Sequence, residues 1–568
     1  MYIDVVPNRN SKPAILLRES YREGGKVKKR TLANLSHFPI DQVDTLRRVL
    51  KGEKLAPVDS LFKVIVSKHH GHVEAVRLAI KRLGLEELIA SKVSRQRDLV
   101  VAMVAARILQ PDSKLATTRW WNNTTLPESL GVSDADEDEL YTAMDWLLDR
   151  QERIEKKLAA RHLKQGGVIL YDLTSSYLEG RRCPLAAVGL NRDGKKGKLQ
   201  VNYGLLTDER GCPVSVSVFP GNTADATTVV PQVTKVQQTF KINDLVLVGD
   251  RGMISSKQIG RFKEMGDVGW ISALRSGQIR KLVNDGTIEL GLFDERNLFE
   301  FTHPDFPGER LVVCRNPLMA ERRTRKREAL LQATMAELEK VKGMVERGRL
   351  IAKEKIGVRV GRVVNNYKVA KHFQLTIDDG RFSYRMLKEK VAAEAALDGL
   401  YVIRTSLSKE RLSAEDTIRC YKELAKVEQA FRSLKSIDLK IRPIYHHLKR
   451  RVRAHIFLCM LAYYVEWHMK EAWRELLFSD EDQRAKKTRD PVAAAKRSAK
   501  ALKKVHGKRL EDGTEVHSFH TLLASLSTIV RDTCRRKGAQ SSEPCFTMTT
   551  IANAKQKRAF DLIDAIVV

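Results

Sequence analysis

The chain has 568 residues, 43% of them hydrophobic, with 101 Lys+Arg against 70 Asp+Glu for a formal net charge of +31. The length calls for three or four domains, and the apolar share excludes a disordered chain. The basic excess calls for a polyanionic partner, nucleic acid ahead of an anionic membrane surface. The scattered cysteines, odd in number and without a C-x-x-C pair, argue against a disulfide framework or a cysteine-based zinc site.

The opening MYIDVVPNRN lacks the basic-then-apolar pattern of a signal peptide. A reducing cytoplasm, with nucleoid association, is the expected compartment. Residues 13–35 alternate around Gly24-Gly25 as a hairpin does, with a basic face of Arg18, Arg22, Lys26, Lys28 and Arg30. A short helix is expected over 40–51, ending near Gly52. Residues 73–165 read as helices. VEAVRLAIKRLGLEELI has helical spacing, and DEDELYTAMDWLLDRQERIEKKLAARHL runs from acidic to basic, as the helix dipole favours. Between them SKLATTRWWNN sets Trp120 and Trp121 beside Arg119. The tryptophans read first as fillers of a helical core and second as part of a small DNA-binding domain.

From 166 the pattern changes. GGVILYDLTSSY and NDLVLVGDRGM are apolar runs of the kind buried strands show. LQVNYGLLTDERGCPVSVSVFPGN reads as two strands around Asp208-Glu209-Arg210-Gly211, and GWISAL and DGLYVIRTSL as two more. With helices between them, the region is α/β. Residues 276–395 interrupt it with weak strands (TIELGLF, LFEFTH, RLVVCRN, HFQLTID) and a charged helix, RRTRKREALLQATMAELEKVKGMVERG. On that helix Leu331, Met335, Leu338 and Val345 share a face. The α/β region resumes at 396 and ends in helices over 414–470, where the apolar run from Ile456 to Val465 is too short to cross a membrane. Residues 471–568 read as helical and basic, and the run KKTRDPVAAAKRSAKALKKVHGKR as a solvated face or a DNA arm.

Two apolar strands end in carboxylates: VILYD at Asp172 and LVLVGD at Asp250. Each aspartate alone could start a turn or cap a helix; as a pair at one sheet edge they could face a cleft. Glu428 lies in SAEDTIRCYKELAKVEQAFRSLK, a helix with Ser413 and Asp416 as a capping box. Tyr421 and Lys435 stand seven residues to either side of it, about two turns, so the three share a face. Leu424, Val427, Phe431 and Leu434 put an apolar stripe beside Glu428, where a charge needs a partner such as Arg432 or a metal ion.

The segment from Tyr421 to Lys435 resembles the YREK signature of bacterial insertion-sequence DDE transposases, matching Tyr, Glu and Lys but carrying Leu424 at the Arg position. YDLTSSY resembles that family's first Asp motif and VLVGDRG its second, and FPGNTADATT is similar to the loop between them. RPIYHHLKRRVRAHIFLCMLAYY is similar to the segment that follows the Glu in one subgroup. The motifs occur in the family's order from about 60 to 470. The resemblance implies an α/β fold in which an RNase H-like catalytic domain, 166–275 and 396–470, is interrupted by a β-rich insertion over 276–395. The residue pattern gives a basic hairpin and short helix over 1–60 and a basic helical region over 471–568, and the resemblance makes the helical region over 61–165 a DNA-end-binding domain. Asp172, Asp250 and Glu428 would hold two Mg²⁺ ions, with Mn²⁺ as a substitute, for cleavage and strand transfer of DNA. Tyr421, Lys435, Arg432, Arg251 and Arg119 would contact DNA. The partners implied are double-stranded DNA, as element ends and target, and a second copy of the chain in the synaptic complex.

No ATP site is expected, since GKKGK at 194–198 lacks the P-loop spacing. His69, His70 and His72 have no further ligand at a spacing suited to zinc. His446, His447 and His455, among Lys449, Arg450, Arg451 and Arg453, read as a DNA-facing helix end. Two other readings stay open: another RNase H-fold nuclease, and a transposase-derived DNA-binding protein without catalysis.

Overall fold

The computed structural model describes the whole chain except residues 10, 55–60, 267, 290–292, 294–296, 481–489, 493–496, 538–543 and 568. The chain forms two compact units. The first comprises Met1–Lys68 and Val530–Thr550. Strands β1 (Tyr2–Val6), β2 (Ala14–Glu23) and β3 (Lys26–Asn34) make an antiparallel sheet in that order. The β2–β3 turn is Gly24-Gly25, with φ of +56° and +74°. Both angles lie in the left-handed region that a two-residue type I′ hairpin requires, which is why glycine stands at both positions. The short helix follows at Ile40–Leu50. Strand β4 (Phe62–His69) joins a second sheet with Val530–Arg536 and Phe546–Thr549. The C-terminal region, expected to be helical, thus supplies two strands.

The second unit comprises His69–Ile529 and Ile551–Val568. Its centre is a sheet built from β5 (Gly167–Tyr177), β6 (Gln200–Asp208), β7 (Pro213–Pro220), β8 (Leu245–Val248) and β9 (Val268–Ala273). β10 (Leu298–Phe301) and β11 (Arg310–Arg315) extend it. β12 (Phe373–Asp378) and β13 (Arg381–Met386) form a separate hairpin, and β14 (Leu400–Thr405) returns to the sheet. The strand order is β10-β11-β14-β9-β8-β5-β6-β7. β5 runs antiparallel to β6 and parallel to β8, and β8 runs parallel to β9. All four residues of β8 are buried, as expected of a short apolar strand between parallel neighbours. Helices Val229–Gln238 and Ser256–Glu264 make the crossovers into β8 and β9.

Two expectations about organisation change. β10 and β11, assigned from sequence to the insertion, extend the central sheet through β14. The part of the insertion with its own core is mostly helical: Pro317–Glu346 and Lys353–Tyr367 pack Leu331, Leu338, Val345, Ile356 and Val360 against Phe373 and Phe382 of the hairpin. The strand expected at TIELGLF falls partly outside the described residues, as does the basic run after 485, of which Ala499–Gly507 is helical. The helices over 71–162 share one continuous core with the sheet and with Lys449–Ala472. The middle of that last helix is enclosed on every side, with Ile456 to Val465 all buried. Trp121 is fully buried, so core filling is its role. Among the described residues no helix is long and apolar enough to cross a membrane.

Candidate active site

β5 does not end at Asp172. It continues to Tyr177 because β6 pairs along its length, with Asp172 opposite Leu205. On its other side β8 accompanies β5 only as far as Leu170, which pairs with Val248. Two residues further along each strand stand Asp172 and Asp250. The parallel register therefore brings the two carboxylates to the point where β8 leaves the sheet. Asp172 is half-buried and Asp250 exposed. Burial first, then the like charges of Asp250 and Glu428, push the Asp172 carboxyl up to about 7. The Leu173 N–H, donating to Asp172 Oδ1 at 2.7 Å, and the charge of Arg192 oppose that rise.

The helix expected across 413–435 is broken. Ala414–Lys422 and Leu424–Arg432 are α-helical, and Ser433–Ile437 is a π turn. Ser413 caps the first helix by accepting from the Asp416 N–H at 3.1 Å. Val427, Ala430 and Phe431 face the core, and the second helix lies against β5. Glu428 is exposed, so the apolar stripe runs beside it and does not enclose it. Tyr421 donates to Asp250 Oδ1 at 3.3 Å, tying the helix pair to the second aspartate. Burial, then Asp250, raises the Tyr421 hydroxyl pKa and keeps it a donor.

Lys435 lies within the π turn, beyond the last α-helical residue, Arg432. A π turn holds more residues than an α turn and shifts every later side chain around the axis. Lys435 is buried in an ion pair with Asp193 at 2.8 Å, and Arg442 binds the same carboxylate. Asp193 also accepts from the Tyr177 N–H at 3.0 Å. Leu424, at the signature's Arg position, packs against the core. Lys426 is engaged by Glu423 and by the Glu209 carbonyl. Arg432 and Arg251 are exposed near the carboxylates in sequence, and Arg119 is exposed at the end of helix Lys114–Trp120.

Sequence reasoning missed Arg192. Its guanidinium binds both oxygens of Asp225, each at 2.5 Å, and its charge reaches Asp172. Arg192 lies in the loop before β6 and Asp225 opens the 3-10 helix Asp225–Thr228, 33 residues on, and no local pattern links them.

Three oxygen-donor carboxylates with one opposing cation suit a hard divalent ion. Among the described residues the group of three whose ligating atoms lie within 4.8 Å of one another is a different one, His162, Cys212 and His468. The charges of Asp250 and Glu428 both act on Asp172, so the three carboxylates lie within electrostatic reach of one another.

Two families match the chain. The Transposase DDE domain matches residues 165–465, and the N-terminal domain of the IS1634 family transposases matches residues 3–57. No curated protein matches. Among solved structures, a piggyBac transposase synaptic complex with hairpin DNA aligns over 80% of this chain and 77% of that one, at 9% identity and a TM-score of 0.33.

Proposed function

The chain belongs to the insertion-sequence DDE transposases, and from that premise we propose that it cuts the ends of a mobile element and joins them to target DNA at Asp172, Asp250 and Glu428. The observation carrying this reading is the parallel register that sets Asp172 and Asp250 side by side, with the Glu428 helix packed on the same strand. The order β7-β6-β5-β8-β9, antiparallel then parallel, supports an RNase H-like layout extended by β14, β11 and β10.

In this reading Asp172, Asp250 and Glu428 hold two Mg²⁺ ions, for which Mn²⁺ substitutes. Bound there, the ions supply activation of a water or a 3′-OH and stabilisation of the leaving oxygen in in-line attack on a phosphodiester. Tyr421 orients Asp250 through its hydroxyl. Arg192, held by Asp225, limits the like-charge repulsion at Asp172. Arg251, Arg432 and Arg119 are exposed cations suited to DNA phosphates. Lys435, bound to Asp193, fixes the loop before β6. DNA supplies the polyanion that the net charge of +31 calls for, and joining two ends calls for a homodimer in the synaptic complex.

The test is strand cleavage and joining with Mg²⁺ on DNA carrying the element's terminal inverted repeats. Nicks at the repeat ends and joined products are expected. Specific binding of the repeats without any cutting would make the chain a DNA-binding derivative. Cutting of branched DNA without end specificity would make it a nuclease of another kind.

A further inference from the structure

Cys212 sits in the tight turn between β6 and β7, fully buried. His162 ends the helix Gln151–His162, and His468 lies near the end of Lys449–Ala472. The three meet in the core of the second unit. Cys212 Sγ lies 3.7 Å from His468 Nε2, and the two imidazole rings are 5.7 Å apart. We infer that His162, Cys212 and His468 form a zinc-binding site, with three protein ligands and a fourth position for water.

The donor set is the first reason. Thiolate and imidazole are the ligands Zn²⁺ favours, and they differ in kind from the oxygen donors around Asp172. The spacing is the second. Zinc–sulfur and zinc–nitrogen bonds of about 2.3 and 2.0 Å make a tetrahedral edge of about 3.5 Å. The Cys212–His468 contact of 3.7 Å is already close to that edge, and the ligating atoms of all three residues lie within 4.8 Å.

The surroundings supply the third reason, because the ligands are held from behind. Tyr464 Oη lies 3.0 Å from His162 Nε2, and Arg210 Nη2 lies 3.3 Å from Nδ1. A guanidinium cannot accept, so Nδ1 carries the lone pair and Nε2–H donates to Tyr464. Asp208 fixes the turn by accepting from the N–H groups of Arg210 and Cys212, each at 2.9 Å. The Arg210 side chain, 57% exposed, is held beside the site by Asp208 Oδ2 at 2.9 Å and by the Trp467 ring, and it must give up its contact with Nδ1 when a cation binds there. A cavity of about 160 Å³ opens beside His162, Asp208 and Arg210 and gives solvent access to the His162 side of the site.

Binding exchanges a proton for the metal. Zn²⁺ forms a bond to Cys212 Sγ, the thiol proton leaves to solvent, and both imidazoles bind through existing lone pairs. Zinc would tie the β6–β7 turn to two helices. The same turn supports the helix bearing Glu428, since Lys426 donates to the Glu209 carbonyl and lies against Gly211.

The test is titration of the full chain with Zn²⁺ against a chromophoric chelator, with Co²⁺ as the spectroscopic probe. The expected result is one zinc per chain, about one proton released per zinc, and a thiolate-to-cobalt charge-transfer band. Tm should rise with Zn²⁺ at concentrations where Mg²⁺ has no effect. Cys212→Ser should remove the band, and His468→Gln should weaken zinc binding at least about tenfold. The carboxylates around Asp172 hold no sulfur and cannot give that band. A wild-type chain that shows no charge-transfer band, or a band that persists in Cys212→Ser, overturns the proposal. The wild-type spectrum decides even if a variant fails to fold.

Discussion

Asp172, Asp250 and Glu428 reach their common place by different means, and their substitution should still have one effect. Asp172→Asn, Asp250→Asn and Glu428→Gln each remove a charge without changing shape. Each is expected to lower Mg²⁺-dependent cleavage by at least about 10³-fold while leaving end binding within a few-fold, because phosphate contacts dominate affinity. Cleavage by any one variant at the wild-type rate removes that residue from the site. Gly204 offers a second residue-level test. An added Cβ there would lie 2.2 Å from the Tyr171 hydroxyl and 2.6 Å from its ring, and Tyr171 is fully buried. Gly204→Ala should destabilise the chain by about 1–3 kcal/mol, read as the urea midpoint. In the Tyr171→Ala background the same change should cost much less, since the clash is gone. Equal costs in both backgrounds would show that the ring is not the obstacle.

At the scale of elements, the long helix Pro317–Glu346 separates two kinds of basic residue. Arg322, Arg323, Arg325 and Lys326 are exposed, whereas Arg327 is buried and bonded to Asp398 at 2.5 Å. Reversing the four exposed charges should flatten the salt dependence of DNA binding, by up to about one unit of log–log slope per lost phosphate contact, and leave sequence preference intact. An unchanged slope would mean that the helix face is only solvated. Arg327→Glu should instead lower Tm, because it leaves Asp398 facing a like charge. The break between Ala414–Lys422 and Leu424–Arg432 and the π turn after it are also properties of the element. Seven-residue spacing suggested one face for Tyr421, Glu428 and Lys435, and an uninterrupted α-helix would have given one. Lys435 lies within that π turn and pairs with Asp193.

Across the whole molecule, buried histidines couple stability to pH. Burial first, then neighbouring cations and histidines, lowers His72 to about 4 and His446 to about 3 and holds His455 well below its ordinary value. Unfolded, all three titrate near 6.5. Below that pH the unfolded chain binds more protons than the folded one, so stability rises with pH across the window. The contribution is full above about 6.5 and is lost as pH falls toward 4 and 3, by up to about 1.4 kcal/mol per pH unit for each histidine. Tm should therefore be clearly lower at pH 5 than at pH 7.5, and the dependence weaker in His72→Gln. A flat profile between those values would contradict this account. The same burial corrects the expectation that His446 and His455 face DNA: His455 is in the core, its ring 5.0 Å from that of His446.

The sequence alone determined what depends on near neighbours along the chain. Apolar runs marked β5 and β8, Gly24-Gly25 marked the hairpin, helical periodicity marked Leu331 and Leu338 as core, and the ordered motifs marked the family. Periodicity reports which face of a segment is buried, not which segment covers it. Tertiary structure alone therefore decided that β10 and β11 extend the central sheet, and that two strands from beyond residue 529 complete the sheet of β4. It also decided that Lys435 meets Asp193, Arg192 meets Asp225, and Cys212 meets a histidine 256 residues away. Scattered cysteines without paired spacing argued against a thiolate metal site. Folding brings one of them between two histidines because ligand geometry is a matter of distance in space, which spacing along the chain does not encode.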